Sequence, residues 1–338
     1  MKDRYGREID YLRISVTDRC NLRCRYCMPR DIASIPMRDI LTFEEIVMTA
    51  RSAAELGISR IKITGGEPLV RRDVCHLISM LKEIPGIEQV TLTTNGILLK
   101  EYLDEILAAG TDSINVSLDT LDPVRYQKIT GFDKLESVLS GLKLAVNRNI
   151  QVKINAVSAD WNSSFGSPVS DESSHIHEDI KALIGLAEIM PVDVRFIELM
   201  PIGYGKSFPG IPHDLLIREI KDIYGGMRRI SRHGNGPAVY YTIPGYRGNI
   251  GFISAIHGRF CSGCNRIRLT SKGYLKSCLC YDTGVDIKGI LRGDASGDLK
   301  HEKLCNALKQ CILSKPDSHS FTQTEKITEN LSMSAIGG

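Results

Sequence analysis

Six short β-type runs alternate with helix-length amphipathic segments over the first two hundred residues, and that order restricts the fold more than any other feature. The runs are DYLRISVT (10–17), ISRIKITG (58–65), EQVTLTTNG (88–96), SINVSLDT (113–120), QVKINAVS (151–158) and DVRFIELM (193–200). Helices are expected near 42–56, 73–84, 100–109, 136–147 and 176–188, the first opened by Thr42 with Glu45 three residues on, a capping-box pattern. Repeated βα units imply a parallel sheet with right-handed crossovers, and such sheets carry their sites at the carboxyl ends of the strands. Six units fall short of the eight that close a standard barrel. The expected fold is therefore α/β: an incomplete (β/α)6 TIM-type barrel over 1–200, with 201–338 as a C-terminal extension covering the open side.

Composition narrows the setting. Apolar residues at 42% and charged residues at 25% are ordinary globular proportions. The opening segment carries Asp3, Glu8 and Asp10 where a signal peptide would be apolar, and no run approaches the roughly 18 apolar residues needed to span a bilayer. A cytoplasmic protein with no membrane partner is expected. A net charge of +3 is too small to argue for nucleic acid. Ten cysteines in a reducing compartment read as metal ligands or buried thiols rather than disulfides.

The strand ends form a set. Cys20, Cys24 and Cys27 follow the first strand, and Gly65, Gly66, Glu67 and Pro68 follow the second. Thr93 opens the TTNG that ends the third, Ser117 and Asp119 lie in the fourth, Lys153 in the fifth, and Glu198 and Met200 end the sixth. All fall on one rim, as an active site in this architecture requires. CNLRCRYC offers three thiols where zinc or an ordinary cluster takes four protein ligands, so it either borrows a distant fourth or leaves a coordination position open. Paired glycines at a strand end let a ligand approach the backbone, with free amides for a carboxylate and Glu67 for an amine. A second group, Cys261, Cys264, Cys278 and Cys280, reads as CxxC followed by CxC; on spacing alone it suits a zinc ribbon as well as a cluster.

CxxxCxxC with Tyr26 before its last cysteine, and GGEP one βα unit later, resembles the signature of the radical S-adenosylmethionine enzymes. The resemblance implies that Cys20, Cys24 and Cys27 hold a 4Fe-4S cluster whose fourth iron is left to S-adenosyl-L-methionine. It implies that Gly65, Gly66 and Glu67 meet the methionyl amine, that Tyr26 packs by the adenine, and that Ser117 and Met200 add contacts. The likeness reaches further along the chain. IKITGGEPLVRRD, LTTNG, INVSLD, VKINAV, VRFIELMPIG, NRIRLT, DIKGILR, KPDSHSF and MSAIGG are together similar to the GTP 3′,8-cyclase family of molybdenum cofactor biosynthesis. That family implies a second 4Fe-4S cluster on Cys261, Cys264 and Cys278 whose open iron binds the guanine of GTP, with Cys280 a bystander. It implies GTP contacts from Arg13, Lys62, Thr93, Lys153, Arg266, Ile267 and Arg268. The activity implied is removal of the ribose C3′ hydrogen by a 5′-deoxyadenosyl radical and attack of C3′ on guanine C8, giving 3′,8-cyclo-7,8-dihydro-GTP. The partners implied are an external one-electron reductant of flavodoxin or ferredoxin type and a downstream cyclic pyranopterin monophosphate synthase; a homodimer is compatible with the family.

Arg13, Lys62, Lys153, Arg195, Arg266 and Arg268 would line one cavity if the sheet closes as expected, although any one alone is more often a solvated surface charge. Lys62 stands where the family often has arginine and lacks the bidentate fork for phosphate. The serine-rich 158–177 is longer than the family leads one to expect. The tail reads as frayed by default, with a functional alternative in which Gly337 and Gly338 thread beside Arg13, Arg266 or Arg268. His175, His177, His213, His233, His257 and His301 show no metal spacing with the cysteines, and Cys75, Cys305 and Cys311 read as small buried hydrophobes. Two other classes remain open: a noncatalytic cluster protein with complete metal sites, and a peptide-modifying maturase, against which NRIRLT and IGG speak.

Overall fold

The computed structural model describes residues 1–29, 31–32, 35–161, 178–231, 234, 236–258 and 260–337. The expected strands and helices are present. They are β1 (Tyr11–Ser15), α1 (Phe43–Glu55), β2 (Arg60–Thr64), α2 (Val74–Lys82), β3 (Gln89–Thr94), α3 (Leu99–Ala108), β4 (Ser113–Ser117), α5 (Leu135–Asn147), β5 (Gln151–Ser158), α6 (Glu178–Ile189) and β6 (Asp193–Glu198), with α4 (Pro123–Thr130) added between β4 and α5. The capping box forms as the sequence specifies: Glu45 N–H donates to the Thr42 hydroxyl, and Thr42 N–H donates to the Glu45 carboxylate at 2.7 Å.

The carboxyl-terminal half does more than cover an opening. It supplies α7 (His213–Tyr224), β7 (Arg228–Arg229), β8 (Val239–Thr242), β9 (Ile250–Ile253), β10 (Arg266–Leu269), β11 (Tyr274–Lys276), β12 (Gly284–Asp286), α8 (Lys288–Arg292), α9 (Gly297–Leu313) and α10 (Met333–Ile336). Among the described residues one sheet runs β12-β11-β10-β1-β2-β3-β4-β5-β6-β9-β8-β7. β10 pairs parallel with β1 and β9 parallel with β6, so the six expected parallel strands gain one on each flank before antiparallel strands finish the edges. β12 and β7 are the two ends of the order and do not pair among the described residues, which is compatible with an incomplete barrel.

Why this sheet has a usable interior follows from its alternation. Leu12, Ile14, Ile61, Ile63, Ile114 and Ile154 are fully buried on the helix side, each such residue contributing about 1.5–3 kcal/mol of burial. Their neighbours at period two, Arg13, Lys62, Thr93, Asn115, Lys153 and Arg195, take the opposite face. A standard barrel fills that face with branched apolar side chains; here it is polar. The sheet must also curl. Arg195 on β6 acts electrostatically on Arg13 on β1, five strands away, a separation of about 24 Å if the sheet lay flat.

Candidate active site

The first cysteine loop is held from below by backbone. Gly66 N–H donates to the Thr17 carbonyl and Glu67 N–H to the Arg19 carbonyl, both at 2.7 Å. A Cβ on Gly66 would fall 2.3 Å from the Arg19 oxygen, and one on Gly65 2.7 Å from the Thr17 oxygen. These glycines are therefore required by the close passage of two chains beside Cys20, and the Gly66 amide, expected to be free, is engaged. Glu67 is likewise turned inward. Its carboxylate accepts from Leu69 N–H, from the Thr94 hydroxyl at 2.7 Å and from Asn95 N–H at 2.6 Å, tying GGEP to TTNG. Burial, opposed by those donors, pushes its carboxyl up to about 7. Asn95 in turn reaches Asn21 at 2.7 Å and the Cys20 sulfur at 3.8 Å.

Cys24 and Cys27 are pushed up by burial and by their fellow thiols, Cys27 to about 12, and burial raises Cys20 to about 11. Three crowded, buried acids are stable as thiolates only with positive charge at their centre, which a metal supplies. Among the described residues neither set of thiols is drawn to within 4.8 Å of one another.

Beside this loop Tyr26 donates to Asp119 at 2.8 Å and packs on Trp161 with ring centroids 5.5 Å apart. Asp119 also accepts from Val157 N–H, and burial raises its carboxyl to about 6. Cys24, Tyr26, Asn95, Ser117 and Asp119 line one small cavity. Met200 packs against the separate apolar cluster formed by Ile202, Ala255, Leu279 and Cys280.

On the concave face the cations converge. Burial, then Arg195, Arg13, Lys153 and Arg266, hold the Lys62 ammonium well below its usual value. Arg268 is lowered by burial, then by Arg13 and Arg266. Arg195 donates to Asn115 at 2.8 Å, while its Nε is buried with no hydrogen-bond partner. A like-charged set in a concave, partly desolvated space is suited to receive an anion. Ile267 stands apart: its side chain is fully buried in the outer apolar layer.

Cys261 and Cys264 lie just before β10 and Cys278 just after β11, within electrostatic reach of one another. Burial raises Cys264, but Arg266 and Lys315 outweigh it and bring the thiol down to about 6. Lys315, from KPDSHSF, is itself fixed by the carbonyls of Arg266 and Ser277 at 2.8 and 2.6 Å. His319 N–H donates to the Cys261 sulfur and Arg7 to the Cys261 carbonyl. Cys280 is fully buried among apolar side chains, with burial pushing it to about 11.

The tail is folded, not frayed. α10 buries Ser334 and Ile336, and the Ser334 amide hydrogen-bonds to the Cys27 sulfur. Arg268 donates to the Gly337 carbonyl at 2.8 Å. Gly337 has φ +75°, and a Cβ there would lie 3.1 Å from that of Ser15. The tail thus runs between the first cysteine triple and the cationic wall; Gly338 lies outside the described residues, as do His175, His177, His233 and nearly all of the serine-rich segment. Asn95, Ser334 and Lys315 escaped sequence reasoning as site residues, although each sits inside a quoted motif. His301 and Cys305 correct the reading that no histidine has metal spacing and that Cys305 is an apolar filler: they are four apart on α9, and Cys305 has polar neighbours.

A parallel partial barrel with three thiols past its first strand is the architecture of the radical S-adenosylmethionine enzymes, and residues 14–158 match the Radical SAM superfamily. Cofactors of that class are an iron–sulfur cluster and S-adenosylmethionine. Residues 192–321 match Molybdenum Cofactor Synthesis C. The chain is 41% identical to the GTP 3′,8-cyclase of Clostridium perfringens (strain SM101) and 39% to that of Alkaliphilus oremlandii, with 100% of each chain covered. It belongs to the GTP 3′,8-cyclase family. Streptococcus suis SuiB bound to S-adenosylmethionine shares the fold at a TM-score of 0.60 and 16% identity, over 96% of this chain and 76% of that one. SuiB bound to precursor peptide SuiA gives 0.63 and 15% over 97% and 76%.

Proposed function

We propose that the protein is a GTP 3′,8-cyclase that joins ribose C3′ of GTP to guanine C8 in molybdenum cofactor biosynthesis. The observation that carries this reading is the row of Arg13, Lys62, Lys153, Arg195, Arg266 and Arg268 on the concave face, between two sets of three cysteines. Full-length identity of 41% to a GTP 3′,8-cyclase favours this substrate over a precursor peptide such as SuiB binds, since SuiB shares the fold at only 15% identity.

Cys20, Cys24 and Cys27 would hold the first cluster, which together with S-adenosylmethionine supplies a 5′-deoxyadenosyl radical when bound. Cys261, Cys264 and Cys278 would hold a second, supported by the match to Molybdenum Cofactor Synthesis C and by the lowered Cys264 thiol; Cys280, buried beside apolar side chains, stays out. Arg13, Lys62, Lys153, Arg195 and Arg268 bind the triphosphate and fix the ribose. Tyr26, held by Asp119, bounds the adenine side with Ser117, and the paired glycines and Glu67 set the loop that carries Cys20. Thr93 accepts from Asn115 at 3.3 Å, fixing the floor between β3 and β4. The tail excludes water and orients Arg268 through the Gly337 carbonyl. An external one-electron reductant of flavodoxin or ferredoxin type and a downstream cyclic pyranopterin monophosphate synthase complete the reading.

Anaerobically reconstituted protein given dithionite, S-adenosylmethionine and GTP should yield 5′-deoxyadenosine and a cyclised nucleotide in step. Deoxyadenosine without GTP conversion would keep the superfamily and overturn the substrate. Cys278→Ala should lose about four irons and Cys280→Ala none, read by iron analysis.

A further inference from the structure

On the outer surface, where α1 meets α9, a group of donors lies apart from the barrel chemistry. Glu55 ends α1, and His301 and Cys305 stand one turn apart on the same face of α9. His301 Nε2 lies 2.9 Å from a Glu55 carboxylate oxygen and 3.6 Å from the Cys305 sulfur. All three ligand atoms fall within 4.8 Å of one another.

His301 Nδ1 lies 2.9 Å from the Ser52 hydroxyl, which also reaches the Met48 carbonyl at 3.3 Å. Where Ser52 gives its proton to Met48 it accepts from Nδ1–H, and Nε2 then turns a lone pair toward the carboxylate oxygen and the sulfur. A nucleophile triad is excluded by the same geometry, because the thiol and the carboxylate would have to address opposite ring nitrogens. For tetrahedral zinc, bond lengths of about 2.3 Å to sulfur and 2.0–2.1 Å to nitrogen set the sulfur–nitrogen edge near 3.6 Å. The observed sulfur–nitrogen edge is 3.6 Å, while the nitrogen–oxygen edge of 2.9 Å would open to about 3.4 Å as the ion enters.

We propose that Glu55, His301 and Cys305 form a binding site for a zinc-type divalent cation that clamps α9 of the carboxyl-terminal half to α1 of the barrel. A thiolate and a carboxylate would neutralise the ion, the Cys305 proton leaving as the metal binds. Glu55 is exposed, so water completes the coordination. The Ser52 hydroxyl is the outer partner that metal-bound histidines ordinarily have. Without the ion, a hydrogen bond from His301 Nε2–H to Glu55 is the competing arrangement.

The test uses protein whose two cysteine sets are already loaded with iron under anaerobic conditions. Zinc chloride is titrated against a chromophoric chelator, and zinc is counted after desalting. The parent should retain one zinc equivalent that Cys305→Ala and His301→Ala lose, while both variants keep the parent's iron content and turnover. Zinc should raise the unfolding midpoint of the parent alone and slow iodoacetamide labelling of Cys305 by a factor of roughly ten or more. No zinc retained by the parent, or equal retention in both variants, overturns the site and leaves the cyclase reading untouched.

Discussion

At the scale of single residues, Lys62 shows how function and stability pull apart. Its ammonium is depressed by burial and by four other cations, so it opposes folding while it prepares an anion site. Lys62→Met should therefore raise the thermal midpoint of nucleotide-free protein and raise KM for GTP by about tenfold to a hundredfold, the cost of one charged hydrogen bond. Lys62→Arg should restore KM; a variant that loses stability as well as affinity would contradict the account. Glu67 gives a pH signature. Its folded value of about 7 lies above the usual carboxyl value of 4.5, so between those limits the folded chain holds a proton that the unfolded chain releases. Its contribution is present below about pH 4.5 and is lost as pH rises through about 7, amounting to about 3 kcal/mol. Glu67→Gln should flatten that slope in denaturant titrations at about pH 5 and pH 7.5; an unchanged slope would refute the assignment. The residue types here were legible, since cysteine spacing and GGEP are local patterns. Their contacts were not: that Glu67 faces Thr94 and Asn95 rather than the cavity depends on how two strand ends meet.

Among the elements, the regular βα units were read from periodicity to within a few residues, whereas β9 and β10 were missed. Four residues of IGFI and RIRL give no length to count, and two arginines in β10 mimic a surface strand; only pairing with β6 and β1 makes them part of the barrel. α10 was missed for a related reason. Four residues are too few to be helical alone, and it forms because Ser334 and Ile336 are buried against the cysteine loop and the apolar cluster. This dependence makes the tail testable as an element. Gly337 combines φ +75° with contact to Ser15, so Gly337→Val adds both strain and a clash. It should withdraw the carbonyl from Arg268 and lower turnover by about tenfold or more, at unchanged iron content. Deleting Gly337 and Gly338 should do the same. Parent-like turnover in either variant would remove the tail from catalysis.

For the whole molecule, the relevant quantity is charge placement. The chain carries a net charge of only +3, yet several of its cations face one another across the concave side of an open barrel. Composition could not reveal this, because the same arginines and lysines spread over the surface would give the same sum. Curling the sheet concentrates them, so that the repulsion is built in on folding and relieved when a polyanion enters. Stability should then be linked to anion binding. At about a hundred times its Kd, GTP should add about 2.7 kcal/mol, which for a chain of this length is about 4 °C in thermal midpoint. Tripolyphosphate should give a smaller shift of the same sign, and guanosine almost none, if the cations act on phosphate as proposed. Added salt should shrink the GTP shift while raising the midpoint of the free protein, because screening relieves the same repulsion. Lys62→Met should reproduce both effects without salt. Equal shifts from guanosine and GTP, or a GTP shift indifferent to salt, would mean that the concave cations do not hold the triphosphate, whatever the turnover of the enzyme.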